Sequence, residues 1–236
     1  MSRLGIITGI SSEAQCLAGA PADSSLHRET PLFRSAFGPV AAARAAQDLV
    51  EQGVEGLASA GIAGGLDPAL RAGDLVLPRE VVGPERIYPV DPLWHDGLAG
   101  RLGGKIEQGR LLGVGVTIAS VAGKAALAKQ HDACAVDMES HAVARVAAKA
   151  GLPFLAVRVV ADPAARTIPR AALHAVGPDG SIRSGAAIGA LMLRPWEIVG
   201  CLRLLADERA ALRSLRRVAS LAPLLGFGLR ESLLDV

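Results

Sequence analysis

Apolar residues along this chain fall into short unbroken runs separated by longer stretches at helical spacing. Leu4 to Thr8 reads as a first buried strand. Ser12-Glu13-Ala14-Gln15 fits a capping box, so a short helix should follow it. Phe33 to Phe37 reads as a second strand. Gly38-Pro39 then punctuates the chain, and Val40 to Val50 carries a helical pattern with Pro39 at the first helical position. Gly56 to Ser59 reads as a strand feeding a glycine-rich loop, Gly61 to Gly65. Asp74 to Pro78 and Val81-Val82 read as a strand broken at Pro78, and the Pro/Gly-rich residues 83–100 are expected to be irregular.

Leu111 to Ile118 predicts a long strand, followed by a helix from about Gly123 to Gln130. Cys134 to Val136 predicts a short buried strand. Asp137 is expected to cap a helix that runs to Ala150, with Gly151 and Pro153 as stop signals. Phe154 to Val160 is the last clear strand. After Ala161 the chain should loop, and Ile198, Leu202, Leu205, Leu212, Leu215 and Val218 repeat at helical spacing from about Trp196 to Leu221. Strands alternating with helices predict an α/β three-layer sandwich, a central mostly parallel or mixed sheet flanked by helices. Residues 1–192 are assigned to this domain, and residues 193–236 to a helical C-terminal extension packed on it.

Composition narrows the picture. A length of 236 residues suits one α/β domain. Half the residues are apolar but only 3% are aromatic, so the core must be built from Ala, Val, Leu and Ile. The formal net charge is +2 and the basic residues are dispersed until the C-terminus, which argues against nucleic acid as a partner. Cys16, Cys134 and Cys201 have no metal-ligand spacing, and an odd count argues against a disulfide framework; a reducing cytoplasm is the expected location. The first apolar run is too short for a signal peptide. The longest candidate for a membrane span, Gly185 to Leu193, is stopped by Arg194-Pro195.

The candidate chemistry is carboxylate chemistry. Asp162 leaves the carboxyl end of a strand, where ligands of open α/β sheets sit, and partial burial there would raise its pKa toward that of a general acid. An Asp-Pro step is also a common turn initiator. Glu139 lies in the expected first turn of a helix, where an acid favours the dipole; turned outward, its two oxygens suit the paired hydroxyls of a ribose. Glu13 has the same two readings and could orient or deprotonate a water. Two acids flanking a glycosidic bond, one protonating the leaving group and one serving water, are what inverting hydrolysis needs. The Gly61 to Gly65 segment matches neither a phosphate-binding P-loop nor a dinucleotide fingerprint. No two of the five histidines form a metal pair on a helix face, and no nucleophile elbow is present.

These pieces stand in an order that resembles the nucleoside phosphorylase/nucleosidase superfamily, which includes purine nucleoside phosphorylases and methylthioadenosine/adenosylhomocysteine nucleosidases. The resemblance covers most of residues 4–163. It rests on Gly5-Ile6-Ile7, on Glu13, on Ser35-Ala36-Phe37-Gly38-Pro39-Val40, on Gly61-Ile62-Ala63-Gly64-Gly65-Leu66 followed by Gly73-Asp74-Leu75-Val76, on Val136-Asp137-Met138-Glu139, and on Phe154-Leu155-Ala156-Val157-Arg158 with Asp162. It implies that Asp162 protonates a purine, that Glu139 binds the ribose hydroxyls, that Met138 packs on the sugar, that Glu13 activates water, and that Ala63 and Gly64 line the substrate. It implies no metal and no organic cofactor, and a homo-oligomer.

The chain also departs from the family pattern. Ile62 stands where relatives carry Ser or Thr, Ala161 replaces the Ser before the acid, and the phosphate loop of the phosphorylases is absent, leaving Arg44 or Arg34 as candidate phosphate ligands. The tail from Arg194 through Arg217 is similar to that of the hopanoid-associated phosphorylase branch. That likeness implies removal of adenine from adenosylhopane. Separately, an Ala/Leu-rich helix with Arg203, Arg209, Arg213, Arg216 and Arg217 could rest on the anionic inner membrane surface, although packing of its apolar stripe on the sheet or on a second subunit is the favoured reading. A soluble nucleosidase or phosphorylase for small nucleosides, and a non-catalytic nucleoside- or lipid-binding protein, are the alternatives.

Overall fold

A computed structural model describes residues 3–18, 31–175 and 184–221. The strands are β1 (Leu4–Thr8), β2 (Leu32–Ser35), β3 (Gly56–Gly65), β4 (Leu75–Val76), β5 (Glu80–Val82), β6 (Ile87–Pro89), β7 (Ile106–Glu107), β8 (Arg110–Gly113), β9 (Ala133–Asp137) and β10 (Phe154–Asp162). The helices are α1 (Ser11–Ala18), α2 (Pro39–Glu51), α3 (Pro92–Leu102), α4 (Val121–His131), α5 (Ser140–Ala150), α6 (Arg170–Ala175), α7 (Ser184–Leu193) and α8 (Ile198–Leu221).

The ten strands form one mixed sheet in the order β6-β5-β8-β9-β3-β10-β4-β7, with β1 on the first half of β3 and β2 outside β1. Strand β3 is the hinge of this arrangement. It runs parallel to β10 over its length, and it pairs first with β1 and at its end with β9. Alternation along the strands feeds two cores. Ile7 and Leu57 pack with Ala42, Ala46 and Leu49 of α2 and Val143 and Ala147 of α5. Ile6 and Ala58 pack with Leu17 of α1, Trp94 and Leu98 of α3, and Ala211 and Leu215 of α8. The result is the three-layer sandwich expected from the alternating elements.

Several boundaries differ from the sequence reading. Gly61 to Gly65 is not a loop but the second half of β3, because β10 and β9 supply its ladder partners. Residues 83–100 are not irregular: Ile87–Pro89 pairs with β5, and Asp91 caps α3 through the Trp94 N–H at 2.8 Å. The strand predicted to Ile118 ends at Gly113, where pairing with β9 ends. Strand β2 ends at Ser35 rather than Phe37. Asp137 is the last residue of β9, and α5 begins three residues later, although Asp137 Oδ2 does accept the Ser140 N–H at 3.0 Å.

Helix α2 starts where Gly38-Pro39 predicted, with Gly38 at φ 80°, a backbone conformation open to glycine at little cost. Helix α5 stops at Gly151, in the left-handed region. No helix among the described residues is long and apolar enough to cross a membrane.

Candidate active site

Arg158, near the middle of β10, is the centre of one buried cluster. Its guanidinium donates to Asp137 Oδ2 from Nε at 2.8 Å, to Ser59 Oγ at 2.7 Å and to Ser140 Oγ at 3.0 Å. Glu139 Oε2 lies 4.0 Å from it. Glu13 is near as well: a side chain on Gly61 would begin 2.7 Å from both Arg158 Nη1 and Glu13 Oε1. Gly61 is therefore required for close approach, not for a turn.

Glu13 does not behave as an ordinary first-turn acid. Its Oε2 accepts the Gly9 and Ile10 N–H groups at 2.7 and 3.0 Å, and its Oε1 accepts the Ile62 N–H of β3 at 2.9 Å. A carboxylate has about four acceptor positions, so one remains on Oε1. Burial pushes the Glu13 carboxyl above the usual range, against the pull of Arg158 and of the three N–H groups.

Glu139 is the N-cap residue of α5, yet its side chain does not cap that helix. It turns away and accepts the Gly38 N–H at 2.9 Å. Burial, then the charge of Asp137, raise its pKa to about 7, opposed by Arg158 and the Gly38 N–H. A side chain on Gly9 would start 3.3 Å from Glu13 Oε2 and 3.5 Å from Glu139 Oε1, so the two carboxyls face one small volume. Met138 borders it, with its Cε over Gly38 and its sulfur 3.6 Å from Thr117 Oγ1.

Asp162 belongs to a second cluster. A bulge between Val160 and Asp162 shifts the pairing with β3 by one residue, which turns the Asp162 side chain away from the face that carries Arg158. Because Arg158 pairs with Gly61 and Asp162 with Gly64, Asp162 sits roughly 10 Å along the strand from Arg158 at about 3.3 Å per residue. Gly64 is its neighbour: a side chain there would begin 3.2 Å from Asp162 Oδ1. Lys124 Nζ contacts Asp162 Oδ2 at 2.5 Å and the carbonyls of Asp162, Pro163 and Arg166 at 3.0, 3.0 and 3.1 Å. Burial raises the Asp162 pKa, with Lys124 pulling the other way.

Of the residues singled out in the sequence, Glu13, Met138 and Glu139 come together around Arg158, while Gly64 and Asp162 meet at the second cluster. Ala63 is buried in β3 between them. Arg44 is exposed on α2 and pairs with none of these carboxyls. Arg34 is occupied by the Phe33 carbonyl and Gln52. Lys124 was missed, because a lone lysine in an Ala-rich helix reads as solvent-facing. No group of His, Cys, Asp and Glu among the described residues is arranged to hold a metal ion.

A family model described as the phosphorylase superfamily matches residues 25–193. Among solved structures, a 5'-methylthioadenosine/S-adenosyl homocysteine nucleosidase from Helicobacter pylori superposes with a TM-score of 0.65 at 15% identity, over 92% of this chain and 97% of that one. An S-adenosylhomocysteine nucleosidase from Streptococcus pyogenes, in complex with 5-methylthiotubericidin, gives 0.65 at 18% identity, over 94% and 98%. The futalosine hydrolase of Helicobacter pylori gives 0.63 at 16%, over 92% and 97%. No curated protein matches the sequence.

Proposed function

The chain belongs to the phosphorylase superfamily, and on that premise we propose that it cleaves the N-glycosidic bond of an adenine nucleoside. The observation that carries this reading is the orientation of Glu139. Its carboxyl is released from helix capping and shares a small volume with Glu13 beside a buried arginine. That volume suits ribose hydroxyls and a water. An oxocarbenium-like transition state gains from the surplus negative charge around Arg158, because three carboxyls face one guanidinium.

In this reading Glu139 holds the sugar hydroxyls, Met138 packs on the sugar, Asp162 protonates the base, and Ala63 and Gly64 line the substrate where it passes from one cluster to the other. Glu13 orients the nucleophile. Its one remaining acceptor position and the exposure of Arg44 favour water over phosphate. The assay is adenine release from adenosine, methylthioadenosine and adenosylhopane, each with and without phosphate, with mass analysis of the sugar. A phosphoribosyl product overturns hydrolysis. No adenine from any of the three overturns the reading and leaves a nucleoside- or lipid-binding protein.

Adenosylhopane is the proposed substrate, handled in the cytoplasm at the inner membrane surface; turnover of methylthioadenosine alone would remove it. Helix α8 supports this choice. Its exposed residues are Ile198, Val199, Leu202, Leu205, Ala206, Ser220 and five arginines, while both of its acids, Asp207 and Glu208, are partly buried. Trp196 and Met192, just before it, are 74% and 79% exposed. Apolar residues continuous with arginines and free of exposed acids suit an anionic lipid surface. Co-sedimentation with phosphatidylglycerol vesicles, lost in L202E, tests it; no binding at low salt rejects it.

A further inference from the structure

We propose that Lys124 is the positioning residue of the general acid: it fixes the Asp162 carboxyl and the turn behind it, and stabilises the carboxylate left when Asp162 gives up its proton. The inference rests on the reading of Asp162 as that acid. Helix α4 provides the first argument. Its only buried residue is Lys124, and its remaining side chains are exposed or half-buried. Burying an amine is costly unless it is paired, and a helix that needed only anchoring would use an apolar side chain. Here the ammonium meets four oxygens, all from Asp162, Pro163 and Arg166. The lysine thus grips one carboxylate oxygen and three carbonyls of the segment that leaves β10.

The division of the Asp162 oxygens is the second argument. Oδ2 is taken by Lys124, and the missing side chain of Gly64 leaves room beside the carboxyl, whose Oδ1 and Oδ2 lie 3.2 and 3.3 Å from where that side chain would begin. One oxygen is held and the other remains for substrate. In the step itself the Asp162 O–H proton passes to a ring nitrogen of the base, and the electron pair of the C–N bond leaves with the base. Asp162 becomes a carboxylate, and Lys124 keeps all its protons and gains a full ion pair. Among the charged groups around Asp162, Asp207 of α8 acts against Lys124, and the Arg166 side chain is engaged by Asp207 at 2.8 Å. The neighbours on β3 and β9, Gly64 and Val136, carry no charge. Lys124 is therefore the cation that sets the acidity of Asp162.

The test compares wild type, K124M, K124Q and K124R on the best adenine nucleoside and on p-nitrophenyl riboside, whose leaving group needs no proton. K124M and K124Q are expected to lower kcat on the nucleoside about a hundredfold with KM changed less than about threefold. The alkaline limb of kcat/KM should move up by about one pH unit or more, because the acid without its cation keeps its proton longer. K124R should return the limb toward its wild-type position, and all three should retain activity on the p-nitrophenyl substrate. Equal losses on both substrates, or an unmoved limb in K124M and K124Q, assign Lys124 to the fold alone and overturn the proposal. If those two variants do not fold, K124R decides: a loss confined to the nucleoside supports the proposal, and an equal loss on both overturns it. D162N separates the premises. Full activity in D162N removes Asp162 as the acid; an inactive D162N with an unmoved K124M limb removes only the role of Lys124.

Discussion

Two buried charge clusters lie along the same strand, and they are balanced differently. Around Arg158, one guanidinium faces Asp137, Glu139 and Glu13. Around Lys124, one ammonium faces a single carboxyl, with backbone carbonyls taking its remaining donors. In the first cluster burial, and for Glu139 also the charge of Asp137, makes Glu139 and Glu13 hold protons above their ordinary range. The second sets one ammonium against one carboxyl and is tightly held. A surplus of carboxyls suits binding hydroxyls and a developing cation; a balanced, rigid pair suits delivering one proton to one place.

The largest expected effect separates the clusters by stability. R158M leaves three buried carboxyls without their cation and should cost about 3–5 kcal/mol in denaturant unfolding. D162N leaves Lys124 with three carbonyl acceptors and should cost less, about 1–3 kcal/mol. Equal costs would erase the distinction. In adenine release the order reverses in meaning: D162N should fold and yet lose at least about a hundredfold in rate.

A smaller effect concerns pH. A carboxyl raised on folding holds its proton more tightly when folded. The contribution of Glu139 is therefore present below pH 4.5 and is lost as the pH climbs through about 7. E139Q should flatten the fall in stability over that window by up to about 3 kcal/mol. Glu13 and Asp162 shift in the same direction, so some slope should remain. An unchanged slope in E139Q would mean that Glu139 is ionised throughout. The smallest effects come from the two glycines. G61A meets pinned atoms at 2.7 Å and should cost about 1–3 kcal/mol, whereas G64A meets Asp162 at 3.2 Å and should cost less than G61A.

Much of the scaffold was legible in the sequence. Apolar runs located β1, β9 and β10, and Pro39 and Gly151 marked the ends of α2 and α5, because those signals act through local backbone geometry. Gly61 and Gly64 misled for a physical reason. Glycine at a turn and glycine under a crowding side chain look alike until the neighbour is known, and the neighbours, Arg158 and Asp162, come from a strand about a hundred residues away. Helix α3 was hidden by the Pro and Gly around it, although Asp91-Pro92 was a readable start. The carboxyls of the site could be named from sequence. Their partition into two clusters depends on the bulge before Asp162, which no local pattern announces.

The fastening of α4 has a dynamic consequence. A helix that buries a single ammonium and little apolar surface has a low local opening free energy, so its amides should exchange with solvent faster than those of α2 or α5. Each opening withdraws Lys124 from Asp162 and interrupts the competent state. Substrate that engages Asp162 should slow exchange in α4 without touching it, and hydrogen exchange of this one helix would then read out occupancy of the pocket.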